Sequence, residues 1–174
     1  LLGGAYWKKG ELDRAEQYYR QSLEIYSRLE ETSWIAGCHL GLGRVNGVKG
    51  NWDSALEHLQ RSLELHQKAE FTAPVGWCHF EIGEVYRDKG EWEKAIEHLE
   101  MARKIAGEAQ DKDTIAISEI LLAEIHLLRD KDADRALARC QEALQIAPEQ
   151  YLAEAYRVLG KIYTYLSQWD RAER

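Results

Sequence analysis

Between Trp52 and Ala69 the apolar residues Ala55, Leu56, Leu59, Leu63 and Leu65 alternate with charged ones. Their three-and-four spacing is that of an amphipathic helix with one buried stripe. The stretch before it, from about Thr32 to Lys49, is apolar on more than one side, as expected of a helix sandwiched between neighbours. Gly10, Gly50 and Gly90 stand where such helices should end and the chain reverse, in the left-handed conformation that glycine adopts without penalty. Asn51 is placed to cap the following helix, and Thr72 and Asp113 read as N-caps of two more. Pro74 and Pro148 are the sole prolines, so long helices are permitted, and no segment alternates as a strand would. The pattern predicts an all-α protein.

The pattern also repeats. Gly10-Glu-Leu-Asp-Arg-Ala15 returns as Gly50-Asn-Trp-Asp-Ser-Ala55 and Gly90-Glu-Trp-Glu-Lys-Ala95, forty residues apart each time. Ahead of the turns run Leu2-Gly3…Tyr6, Leu42-Gly43…Asn46, Ile82-Gly83…Tyr86, Leu122-Ala123…His126 and Leu159-Gly160…Tyr163. Behind them run Tyr19…Leu23, Leu59…Leu63, Leu99…Ala102 and Cys140…Leu144. The motif Leu-Gly-x-x-Tyr-x-x-x-Gly-x-Trp-x-x-Ala, carried by Ile82 to Ala95, resembles the tetratricopeptide repeat family.

That resemblance implies a right-handed α-solenoid of antiparallel helix pairs. It implies a single array over 1–174, with repeats at about 1–30, 32–70, 73–110, 113–147 and 149–174. The first lacks its start and the last its end, Trp169 opening a second helix; this suggests a fragment whose incomplete ends associate end to end. The forty-residue period exceeds the family's usual ~34. It is similar to that of longer-repeat members, such as Partner-of-Inscuteable-type scaffolds and sensor arrays of bacterial signalling ATPases. Asn46 replaces the aromatic in the second copy. The fourth copy has Ala123 for glycine, Asp130 for the turn glycine and one extra residue before Ala136. It is therefore the candidate bent joint, unless the connection absorbs the insertion.

Composition narrows the function. Apolar residues make up 45% and charged residues 30%, and 23 basic against 30 acidic side chains leave a net charge of −7. An acidic chain lacks the basic footprint of a nucleic-acid or anionic-membrane binder. No run approaches the ~18 apolar residues of a membrane span, and no secretory signal opens the chain. Three cysteines, Cys38, Cys78 and Cys140, suit a reducing cytoplasm better than a disulfide framework.

Catalysis finds no constellation to stand on. Glycine-rich phosphate loops, Gly-x-Ser-x-Gly and His-Glu-x-x-His are missing, so neither an enzyme nor a cofactor is expected. Cys38-His39 and Cys78-His79 recur but are neighbours pointing ~100° apart on a helix, unable to grip one metal ion. His58 and His98 read as one solvated repeat position. Trp52, Trp92 and Trp169 follow each turn by two residues and read as core wedges, whereas Trp7, Trp34 and Trp77 do not recur and are candidates for something particular to this chain.

In the family the first helices line a concave groove. Carried over by register, the groove-facing places include Leu40, Arg44 and Gly47, then Trp77, Phe80, Glu84 and Arg87, then Ile117, Ile120 and Glu124, then Arg157 and Lys161; Gly41 lies beside them. Leu40, Arg44, Phe80 and Glu84 stand where a carboxylate-clamp groove would need Lys and Asn, which disfavours a C-terminal carboxylate as ligand. The second copy's first helix holds Gly37, Gly41, Gly43 and Gly47, at an intrinsic cost of about 1 kcal/mol each relative to Ala. Bare backbone there opposite Trp77 and Phe80 either opens a cleft for a bulky apolar side chain, rimmed by Arg44, Glu84 and Arg87, or lets the two aromatics pack down. The expected function is a non-catalytic protein- or peptide-binding module; the alternative is a sensor or spacer array within a larger regulator.

Overall fold

The computed structural model describes residues 2–172, with side chains described through 167. Among these residues the chain is helical throughout: α1 Leu2–Lys8, α2 Leu12–Arg28, α3 Thr32–Val48, α4 Trp52–Lys68, α5 Thr72–Asp88, α6 Trp92–Ala109, α7 Lys112–Ile125, α8 Ala133–Ile146 and α9 Glu149–Ala172. Consecutive helices pack against each other, and α1, α3, α5, α7 and α9 also touch in sequence. The odd-numbered helices thus line the inner face of a right-handed solenoid of antiparallel pairs, and the even-numbered ones form its outer layer.

Turn chemistry sets this geometry. Gly50 is left-handed (φ 76°), with its N–H donating to Gly47 O at 3.0 Å and the Asn51 N–H to Asn46 O at 2.9 Å. These bonds satisfy carbonyls left over at the end of α3. Between repeats the same conformation falls on Glu30, Glu70 and Gln110 (φ 56°, 56° and 57°), at a cost of roughly 1–2 kcal/mol each for residues that carry a Cβ. The capping differs from the sequence reading. Asn51 makes no side-chain cap and instead donates to Asn46 Oδ1 at 3.3 Å. Thr72 is already helical after Phe71. Asp111, not Asp113, caps α7, accepting from the Asp113 and Thr114 amides.

The recurring glycine before each turn is a close-approach residue. A Cβ on Gly43 would lie 2.5 Å from Leu59 Cγ, and one on Gly83 would lie 2.9 Å from Leu99 Cγ. The fourth repeat solves the same contact differently, with Ala123 and Cys140 both fully buried in one core cluster. Gly41 is another packing position: its Cβ would fall 2.4 Å from the Tyr19 ring.

The extra residue of the fourth repeat is taken up inside the helix. His126–Asp130 forms a π-helical turn, and the left-handed residue is Lys131 (φ 57°), not Asp130. A π-turn is how a helix accommodates one inserted residue without losing its ladder. His126 Nδ1 lies 2.8 Å from Asp130 Oδ2 across it.

At the far end α9 runs unbroken past Ser167, where the register places a reversal. Ser167 stands where Gly10, Gly50 and Gly90 turn the chain, and the Trp169 side chain lies outside the described residues. Trp52 is 38% exposed, a poorer wedge than the pattern suggests; Trp92 is half-buried against the α5–α6–α7 core. His58 and His98 are not on a solvated face: both are half-buried against α3 and α5.

Candidate functional site: the inner groove

The first helix of the second repeat is stripped of side chains where it faces the groove. A Cβ on Gly37 would meet nothing within 4 Å, and one on Gly47 would meet only Val85 Cγ2 at 3.4 Å and Ala55 Cβ at 4.0 Å. Opposite stand Trp77 and Phe80 of α5, with ring centroids 5.0 Å apart. The two walls do not close. Between them lies a cavity of about 350 Å³, lined among others by Trp7, Arg44, Gly47, Trp77, Phe80, Glu81 and Glu84 and reaching Ile117 and Tyr151. Every odd-numbered helix contributes to it.

Arg44 crosses the cavity wall. Its guanidinium carbon sits 4.7 Å from the Trp7 ring centroid and 5.8 Å from that of Trp77, within cation–π range. Its Nε is 2.8 Å from Glu81 Oε1, an ion pair whose N–H is not aligned for a hydrogen bond. Burial pushes the Glu81 carboxyl up to about 8, and Arg44 offsets that only in part. Burial also raises Glu84. The cavity therefore presents indole and phenyl faces beside Glu84, a Glu81 carboxyl held partly neutral and one fixed cation.

A second region of the groove is ionic. Glu124 on α7, itself almost buried, faces Lys161 Nζ at 2.6 Å, Arg157 Nη2 at 3.2 Å and Arg87 Nη1 at 3.8 Å. Burial alone would raise its pKa, but the three cations outweigh it and the net shift is downward. Cations from the two flanking odd helices, α5 and α9, thus converge on one carboxylate of α7.

The structure brings together Arg44, Gly47, Trp77, Phe80 and Glu84 around the cavity, and Arg87, Glu124, Arg157 and Lys161 in the ionic cluster. Three sequence candidates fall elsewhere. Leu40 packs into the core between the second and third repeats, Gly41 faces Tyr19, and Ile120 is fully buried in the core under α8 and α9. Trp34 stacks on Tyr26 at 5.4 Å and is not among the cavity-lining residues. Trp7, Glu81 and Tyr151 were not among the groove assignments. For Trp7 a signal existed: with Gly3 as the eighth place of its repeat, Trp7 is the twelfth, a groove position equivalent to Gly47 and Arg87. Glu81 carried none, because the same place is Gly41 in one neighbour and Leu121 in the other.

A solenoid of helical hairpins with an aromatic-lined inner groove is the architecture of tetratricopeptide-type repeat proteins. The chain matches the family described as the MalT-like TPR region over residues 1–150, and it belongs to that family. No curated protein matches it. Among solved structures, BtubC (BKLC) from P. vanneervenii superposes with TM-score 0.78 at 19% identity, over 99% of this chain and 73% of that one. A Rap protein complexed with competence and sporulation factor gives 0.78 at 18% identity, over 92% and 44%. A putative kinesin light chain from Podosopora anserina gives 0.72 at 17% identity, over 99% and 87%. At these identities the likeness is one of fold. No helix among the described residues is long and apolar enough to cross a membrane.

Proposed function

We propose that the chain is a non-catalytic interaction module whose inner groove binds a segment of a partner protein, a peptide or a helix. The carrying observation is the cavity of about 350 Å³ between the bare Gly47 wall and Trp77–Phe80. A pocket of that size, apolar with a few convergent charges, takes one bulky apolar side chain and orients its flanks through Arg44 and Glu84. The ionic cluster around Glu124 supplies polar anchoring further along the groove. A Rap protein of the same fold has been seen with competence and sporulation factor bound, which supports ligand binding by such an array. The free, buried thiols of Cys38, Cys78 and Cys140 suit a reducing compartment such as the cytoplasm. Membership of the MalT-like TPR family favours a second reading, a regulatory sensor array that acts on neighbouring domains.

Selection from a phage-displayed random peptide library tests the first reading. Enriched peptides should share a bulky apolar residue flanked by charge, and should bind Gly47→Leu at least tenfold more weakly. That variant fills the cavity while gaining about 1 kcal/mol of helix propensity over glycine, so its circular dichroism should stay unchanged. Failure to enrich any peptide, or undiminished binding to a folded Gly47→Leu, would refute the groove assignment.

A further inference from the structure

One polar position recurs across the hairpins outside the groove. His39 on α3 and His58 on α4 bring their Nδ1 atoms to 3.0 Å. One repeat later, His79 on α5 and His98 on α6 do the same at 3.0 Å. The equivalent pair in the following repeat is Glu119 on α7 and Arg139 on α8, joined through Arg139 Nη1 at 3.1 and 3.0 Å to the two carboxylate oxygens. Three successive hairpins therefore carry a polar clasp between their helices. The Glu–Arg clasp neutralises itself. The two histidine clasps instead aim two nitrogens at each other and need only one proton between them.

The imidazoles are neutral near pH 7. Burial lowers His39 and His79 to about 4, with the partner histidines adding to the effect, and burial also lowers His58 and His98. Neutral imidazoles are metal ligands in waiting: the ring holding the shared proton moves it to Nε2, and both Nδ1 lone pairs become free with no proton released. For metal–nitrogen bonds of ~2.05 Å, an N···N separation near 3.0 Å subtends ~94° at the ion. That is near the cis angle of a tetragonal ion, and each ring turns by ~43° to swing its lone pair from the N···N line onto the ion.

Beside the first pair there is room for the remaining ligands. A cleft of about 440 Å³ opens beside the first pair, lined by His39, Glu57, His58, Gln60, Arg61 and Glu64. Arg61 and, from α2, Arg20 oppose a cation there, while Glu57 and Glu16 favour one; Arg61 is itself engaged by Glu64 at 3.1 Å. Glu97 plays the same favourable part beside His98, whose ring also lies 5.6 Å from that of Tyr86. The adjacent cysteines take no part: Cys78 is turned to Ser62 at 3.4 Å, and burial pushes the Cys38 and Cys78 thiols up to about 11. Among the described residues no cluster of three or more His, Cys, Asp or Glu is placed to hold an ion, so water completes the coordination of any ion held by a pair.

We propose that each histidine pair is a cis-chelating site for a tetragonal divalent ion of the copper(II) or nickel(II) type, giving two such sites per chain. Nickel titration of the untagged, chelator-stripped chain at pH 7.5, followed by calorimetry, should show two equivalents bound with a Kd below about 100 µM and a raised melting temperature. His58→Gln should remove one equivalent and His58→Gln/His98→Gln both, since glutamine keeps a hydrogen-bonding clasp without an imidazole nitrogen. Circular dichroism confirms that the variants remain folded. Absence of binding at this affinity, or two equivalents retained by the folded double variant, overturns the proposal.

Discussion

The contact between the recurring glycine and the outer helix admits two solutions in this one chain, and exchanging them tests whether packing alone dictates the repeat motif. In the second repeat Gly43 faces fully buried Leu59; in the fourth the same pair is Ala123 and Cys140. A Cβ on Gly43 would lie 2.5 Å from Leu59 Cγ, too close without a shift, and 3.2 Å from the Ala55 carbonyl oxygen, where a few tenths of an ångström suffice. Overpacking of this kind costs about 3 kcal/mol, against about 1 kcal/mol recovered from helix propensity, so Gly43→Ala should destabilise by about 2 kcal/mol. Leu59→Cys replaces three buried carbons by one sulfur and should cost about 2 kcal/mol. If the clash is the cause, the double variant reproduces the fourth repeat's solution, keeps the propensity gain and costs about 1 kcal/mol in total rather than about 4. Urea denaturation followed by far-UV circular dichroism measures all three against wild type. Additivity of the two single effects within about 0.5 kcal/mol would show that the glycine is there for another reason.

Acid should loosen the array. The folded pKa values of His39 and His79 lie near 4, below the ordinary 6.5; the unfolded chain therefore binds the extra protons, and stability is lost as pH falls from about 6.5 toward 4. Thermal melts across that range check this, and His39→Gln/His79→Gln should flatten the decline. Glu81 has the opposite sign: its pKa is raised to about 8 from 4.5, so its contribution is complete below about pH 4.5 and lost by about pH 8. Glu81→Gln should melt higher than wild type at pH 8.5, and an unchanged or lower melt would show a fully compensated Arg44–Glu81 pair. Finally, Glu119→Ala should cost about 1.5–3 kcal/mol by removing the two bonds to half-buried Arg139, which keeps Glu100 as a partner, whereas Glu119→Ala/Arg139→Met should recover most of that in chemical denaturation.

The fold was legible because its determinants are local and repeated. Helical spacing, a left-handed glycine and a glycine–leucine contact each recur at fixed intervals, so every copy confirms the others. The caps were read less well, since Asn51 has two competing polar neighbours and the choice between backbone amide and Asn46 Oδ1 is made by tertiary placement. The insertion before Ala136 was visible, but its lodging place was not: helix and loop were both open to it, and buried His126 pairing with Asp130 fixed it inside the helix.

The groove was half legible for a related reason. Register places a residue on the inner wall, yet what occupies the wall depends on neighbours from other repeats. Gly41 and Gly47 are both glycines on one helix, but Tyr19 fills the space beside the first, whereas only Val85 and Ala55 approach the second, at 3.4 Å or more. Leu40 and Ile120 obey the register and are nonetheless drawn into the core, because apolar side chains at a helix–helix seam gain more by burial than by lining a groove. The cavity thus forms where the repeat is broken twice over: a side chain is missing at Gly47, and two tryptophans, at the twelfth place of one repeat and the second place of another, frame the gap. Positions that repeat hold the solenoid together. In the binding mode proposed here, recognition falls to the positions that do not, and those are the ones a periodic pattern describes least.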